Sequence, residues 1–249
     1  MSRNGMEGGE VFDEARKILP AKFDKVFLTL FTNPKYKDIV ALPFLRAYLR
    51  KPDLKPSDVI ISDPRLASDE LDEKHPIVDV FITMPTELLH MEMQFFVTKE
   101  TLDRFFYYHA KAFAGQLKSG ESYSKLKKLI SLFITTQTAI DDTADENVPE
   151  RGYYFHSFEV YDKIHNVTMT DKAVINVLEL NKIPVKSDGS TEWIWGSLFD
   201  AEEEEQFDML AKAYPEVADA VKVIKELSAD QQFRYEAFLA EKAKRDWIS

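Results

Sequence analysis

The spacing of apolar positions divides the chain into a helical opening, a middle of extended segments and a helical tail. Phe23, Val26, Phe27, Leu30 and Phe31 recur at helical intervals and predict a helix over about 21–31, closed by Pro34. A second helical stretch has Pro43 near its first turn, carries Phe44, Leu45, Tyr48 and Leu49, and ends before Pro52. Residues 51–74 are polar apart from Val59-Ile60-Ile61, which predict a short strand. The period then changes. Residues 77–83 (IVDVFIT) are rich in β-branched side chains and predict a strand; Pro85-Thr86-Glu87 turns the chain, and 88–97 (LLHMEMQFFV) return as the second strand of a hairpin.

A long helix is expected over 99–118, with Thr98 as its cap, Leu102, Phe105, Phe106, His109 and Phe113 as its buried side and Gly120 as its end. Residues 129–135 (LISLFIT) predict a buried strand, 141–151 an acidic loop, and 153–161 and 173–180 two more strands. Asp188-Gly189 marks a turn, after which the chain is helical near 202–214, 216–227 and 230–246. This order predicts an α/β fold: a mixed central sheet flanked by helices, with a helical C-terminal extension.

Composition narrows the chemistry. The 249 residues are 45% apolar, enough for a proper core, and contain no cysteine. Thiolate metal sites, iron–sulfur clusters, disulfides and thiol nucleophiles are therefore excluded, leaving carboxylates, carbonyls and five histidines as metal ligands. Residues 1–10 are polar and Gly-rich, read as disordered, and lack the basic-then-apolar order of a signal peptide. No apolar run approaches the ~18–20 residues that span a bilayer. A cytoplasmic protein without a membrane partner is expected. The net charge of −11, from 32 Lys+Arg against 43 Asp+Glu, opposes a polyanionic partner. Yet Lys99, Arg104, Lys111, Lys118, Lys125, Lys127 and Lys128 face only Glu100, Asp103 and Glu121 within one segment, so a local basic face survives.

Alternation along the hairpin singles out its acids. His90, Glu92 and Gln94 share one side of their strand, while Met91, Met93 and Phe95 point the other way. Asp79 sits between Val78 and Val80 in an otherwise apolar strand, a costly place for an acid unless it is paired or binds a cation. If the strands pair, Asp79 and Glu92 converge, and Mg²⁺ would relieve their repulsion using both carboxylates, the Met93 carbonyl, waters and a phosphate oxygen. Such an ion polarises a phosphodiester and lowers the pKa of an attacking water. In the competing reading Asp79 pairs with Lys74 or Arg104, and Glu92 is an exposed strand residue. His156 and His165 have no carboxylate or histidine partner at ligand spacing, and Trp193 and Trp195 read as core or interface residues.

Several segments together carry a resemblance. Residues 24–31 (DKVFLTLF) resemble a D-x-x-F-K-x-x-F opening helix, with Leu28 where lysine is usual. Lys74 to Val80 resembles K-x-x-x-x-D-V, and Glu92-Met93-Gln94 matches E-M-Q. Arg104, Tyr107-Tyr108, Gln116-Leu117, Gly120 and Tyr123 resemble R-x-x-Y-Y…Q-L-x-x-G-x-x-Y, and Glu179-Leu180-x-Lys182 resembles E-L-x-K. From about residue 20 onward the chain thus resembles the recombination-promoting nuclease/putative transposase family, within the PD-(D/E)XK endonuclease-like superfamily.

That resemblance implies a restriction-endonuclease-like core over 21–185, preceded by an arm over 1–20 and followed by a helical extension over 186–249. It implies Mg²⁺-dependent DNA cleavage, with Mn²⁺ as a second candidate ion and with Asp79, Glu92 and Gln94 as the catalytic set. Gln94 stands where the superfamily usually has lysine; its amide can orient a water but brings no positive charge. Lys111 is one cation that would substitute. Arg104, Tyr108 and Lys111 lie at i, i+4 and i+7, so they share a helix face suited to the phosphates of DNA. The competing reading has the tyrosines packing and Arg104 paired with Asp103 or Glu100. Cutting both strands takes two sites, which a homodimer would supply. A second function on the same fold, a DNA-binding or protein-interaction module without catalysis, is favoured by Gln94 and disfavoured by the retention of Asp79 and Glu92.

Overall fold

The computed structural model describes residues 17–62, 79–142, 148–150 and 152–248, position 79 and the last turn (245–248) by backbone only. Arm residues 1–16, Lys74 and the start of the first hairpin strand lie outside the described residues. Residues 17–20 are packed: Ile18 and Leu19 are buried, and Leu19 N–H donates to Ser228 Oγ at 2.9 Å.

Six strands form one mixed sheet among the described residues: β1 (Ile60–Ser62), β2 (Asp79–Thr83), β3 (Glu87–Gln94), β4 (Lys128–Thr135), β5 (Phe155–Asp162) and β6 (Val167–Glu179), ordered β1-β2-β3-β4-β6-β5. β1, β2 and β3 pair antiparallel, β3, β4 and β6 pair parallel, and β5 pairs antiparallel with β6 at the edge. Of the parallel strands, β4 reads as a near-continuous apolar run because both of its faces are covered.

The two faces are covered unequally. One face presents Val80, Ile82, Leu89, Met91, Met93, Ile130, Leu132, Ile134 and Leu178 to the main core. That core is completed by α1 (Asp24–Thr32), α2 (Leu42–Tyr48), α4 (Thr191–Asp200), α5 (Glu204–Ala213) and α6 (Pro215–Ala229), with α7 (Gln231–Ile248) packed against α1 and α6. A cage of rings joins the helices: Phe31 and Phe44 are 5.2 Å apart, Phe44 and Trp195 5.0 Å, Phe27 and Phe199 5.7 Å. The C-terminal helices therefore share one core with the opening helices. Trp195 and Trp193 belong to it, with Trp193 Nε1–H donating to Pro184 O at 2.8 Å. The α/β architecture, a mixed sheet flanked by helices with further helices at the C-terminus, is that of a restriction-endonuclease-like fold.

On the opposite face, α3 (Thr101–Ala114) lies over β4. It buries only Thr101, Phe105 and His109, one residue per turn. Leu102 and Phe106, expected inside, are exposed; Phe106 is 64% accessible. Resting on the sheet through a single row, the helix has no second neighbour among the described residues to cover its flanks. It also ends earlier than expected, at Ala114 with Gly115 as C-cap, while Gly120 takes φ +86° in the turn beyond. Thr98 does not cap it directly: Glu100 is the N-cap, and Thr98 Oγ1 accepts from Glu100 N–H at 3.3 Å.

Candidate active site

The face under α3 gathers the polar hairpin residues. Position 79 is the direct cross-strand partner of Glu92, so the two share that face. Glu92 is followed across the sheet by Phe133 and Val177, and the next row is Gln94, Thr135 and Glu179. These last three are the terminal residues of the three parallel strands. Ligands of open α/β sheets bind in the crevice at the carboxyl ends of such strands.

Glu92 is 5% accessible, which excludes its reading as an exposed strand residue. Its Oε1 lies 3.6 Å from Arg104 Nη2, and the same nitrogen donates to Gln94 Oε1. Gln94 Nε2–H in turn donates to Phe96 O at 2.6 Å, which fixes the amide so that its oxygen faces the guanidinium. Arg104 thus pairs with Glu92 rather than with Asp103 or Glu100. α3 runs back over β4 and β6, bringing Phe105 above Phe133 and His109 above Ser131. Lys111 is two turns beyond Arg104, ~10 Å along the axis, exposed and remote from Gln94. Tyr108 is half-buried, its ring 5.8 Å from that of Tyr107. The Met93 side chain is buried in the main core, leaving only its carbonyl for any role at this face.

His90 is buried on the site face, its ring stacked on Phe81 at 4.4 Å. Ser131 Oγ lies 2.9 Å from His109 Nδ1 and 3.5 Å from His90 Nδ1. Burial, with His90 as a smaller contribution, pushes His109 down to about 4. Because the folded state holds His109 neutral while the unfolded chain protonates it near 6.5, this residue's contribution is intact above pH 6.5 and is lost as pH falls toward 4. Urea unfolding is expected to show a loss of about 1–3 kcal/mol between pH 7 and pH 4.5 that His109→Gln abolishes. Equal pH slopes for the two proteins would refute this.

In the same row as Gln94, on the far side of Thr135, lies a cluster that sequence spacing missed. Glu179 and Lys182 are buried, with Lys182 Nζ 2.8 Å from Glu179 Oε2 and 3.1 Å from Asp142 Oδ1. Glu179 Oε1 accepts from the N–H groups of Ala139 (2.5 Å) and Ile140 (3.0 Å), and Lys182 donates to Ile140 O at 2.6 Å. His156 Nε2 is 3.5 Å from carboxylate oxygens of both Asp142 and Glu179, and His165 pairs with Asp162 at 2.6 Å, so both histidines do have carboxylate partners. Burial pulls Lys182 down, but Glu179 and Asp142 outweigh it and hold the lysine above its ordinary value. Gly152, at φ +81°, admits the approach of Asp142: a Cβ there would sit 2.1 Å from Asp142 Oδ1. The opposite charges three residues apart at the strand end were the available signal.

The donor chemistry around Glu92 suits a hard divalent ion, since Mg²⁺ takes one or two carboxylates and keeps several waters. Among the described residues no group of three or more His, Asp and Glu is placed to hold a metal, and the Asp79 side chain is not among them. Likewise among the described residues, no helix is long and apolar enough to cross a membrane.

A buried hairpin acid thus lies opposite a second acidic position near the carboxyl ends of parallel strands in a mixed α/β sheet. A family model described as PD-(D/E)XK nuclease family transposase matches residues 21–249, and the chain belongs to that family. Comparison with curated proteins and with solved structures returns no match.

Proposed function

We propose that this protein is a metal-dependent DNA endonuclease acting in recombination or transposon-like mobility. The observation that carries the reading is the register of Asp79 against Glu92 on the face where α3 delivers Arg104 to Gln94. Asp79 and Glu92, with the Met93 carbonyl, would hold Mg²⁺ or Mn²⁺, which supplies Lewis-acid polarisation of a phosphodiester when bound. Gln94, its amide held at both ends, orients the attacking water. Arg104 neutralises Glu92 in the resting site, Lys111 meets backbone phosphates along the exposed side of α3, and Tyr108 hydrogen-bonds the DNA backbone. An acidic chain contacting a polyanion through a few cations should lose DNA affinity steeply with salt.

Supercoiled plasmid with Mg²⁺ or Mn²⁺ tests the proposal. Nicking by the wild type is expected, with Asp79→Ala and Glu92→Gln each slowing it at least ~10³-fold while both variants stay folded. Plasmid binding without nicking would instead support the non-catalytic module that Gln94, lacking a lysine's charge, leaves in play. Nicking that survives both substitutions would remove these acids from the site.

A further inference from the structure

The superfamily's usual lysine is replaced by Gln94, so the positive charge for the transition state must come from elsewhere in the chain. Lys111 is too far along α3 to supply it. Lys182 is committed to Glu179 and Asp142 and points into the buried cluster. Arg104 is differently placed. One guanidinium nitrogen touches both Gln94 Oε1, at the position of the missing lysine, and Glu92 Oε1 two residues before it. The side chain is 40% accessible, so the rest of the fork reaches the open side of the site. Its Nε–H has no hydrogen-bond partner among the described residues. A buried donor left unsatisfied costs stability.

We infer that Arg104 is a catalytic residue that replaces the lysine, its guanidinium binding the scissile phosphate. This rests on the endonuclease reading. Hydrolysis forms a P–O bond to the water oxygen, breaks the P–O bond to the departing sugar oxygen, and transfers a water proton to that oxygen overall. In between, negative charge accumulates on the non-bridging oxygens, where a planar two-donor cation is worth most. The swap also explains why Gln is tolerated at position 94. A lysine there would crowd the guanidinium with a second cation, whereas the amide oxygen accepts from it.

The test compares wild type, Arg104→Ala, Arg104→Lys and the double variant Arg104→Ala/Gln94→Lys by plasmid nicking, with Mn²⁺ binding followed by calorimetry on the same proteins. Arg104→Ala is expected to slow nicking ~10²–10³-fold through kcat. It should bind Mn²⁺ as tightly as wild type or more tightly, because a cation next to Glu92 has been removed. Moving the charge back, in the double variant, should recover at least tenfold of the loss, and Arg104→Lys should retain more activity than Arg104→Ala. Arg104→Ala nicking within threefold of wild type would overturn the assignment. So would a loss that the double variant leaves unrecovered, or one accompanied by weakened Mn²⁺ binding, since either result makes Arg104 a structural support. A wild type that does not nick sinks the endonuclease reading and this assignment together, whereas a nicking wild type with an unaffected Arg104→Ala sinks only the assignment.

Discussion

Replacing Glu179 by alanine is expected to destabilise the protein by about 3–5 kcal/mol, measured by urea unfolding at neutral pH. The carboxylate is fully buried and does three jobs at once. It faces Lys182 at 2.8 Å, and it accepts the backbone N–H groups of Ala139 and Ile140. Removing it leaves a nearly inaccessible ammonium with Asp142 as its remaining carboxylate partner among the described residues and strands two peptide donors. The loss should be strongly non-additive. In a double-mutant cycle, adding Lys182→Met to Glu179→Ala should recover part of the cost, because the charge left without compensation is gone. A cost below ~1 kcal/mol for the single variant, or strict additivity, would show that the pair is solvated.

The consequence extends to the site. The loop that Glu179 ties down is held on its other side by the end of β3: Thr136 N–H donates to Gln94 O at 3.1 Å, Thr136 Oγ1–H to Phe95 O at 2.9 Å, and Val97 N–H to Gln137 Oε1 at 3.1 Å. Loosening the loop therefore frees the backbone that carries Gln94. Glu179→Ala should lower nicking as well as stability.

What the sequence disclosed and what it hid follow from the range of each interaction. Hairpin pairing was legible because IVDVFIT and LLHMEMQFFV alternate in register about a short turn, and the ladder sets Asp79 opposite Glu92 as that pattern requires. The burial of Met91 and Met93 away from Glu92 followed from the same period of two. Helix α3 was read too wide. Its apolar residues Leu102, Phe105, Phe106, His109 and Phe113 suggest a broad buried stripe, but only one helix row meets the sheet, a fact set by the tertiary neighbours and not by local spacing. Charge partners were the least legible. Arg104 chooses Glu92 across twelve residues instead of Asp103 beside it, and Lys182, Asp142 and His156 meet only once β4, β5 and β6 are assembled. The short strand at 60–62 and the opening of the tail at Ser190, whose Oγ accepts from Trp193 N–H at 3.0 Å, lay within or next to segments that spacing had marked.

The narrow seat of α3 makes Phe105 the residue on which the placement of Arg104 depends. Its ring stacks on Phe133 with centroids 4.0 Å apart and planes 4° from parallel, and both rings are fully buried outside the main core. The helix otherwise rests on Thr101 and on the contact between His109 and Ser131. Phe105→Ala removes the largest of three anchors and opens a cavity directly over the row that holds Glu92, so a loss of about 3–4 kcal/mol is expected. Because the main core on the other sheet face is untouched, the loss should fall mainly on α3. Amide exchange in 101–114 should accelerate far more than in β3 or β4. With the helix unseated, Arg104 no longer reaches Gln94, and nicking should fall by at least tenfold although no group in the site has been altered. Phe105→Leu, which keeps most of the volume, should lose about half as much stability. Uniform acceleration of exchange across the sheet would show instead that α3 and the sheet unfold as one unit, and the separate anchoring of the helix would have to be abandoned.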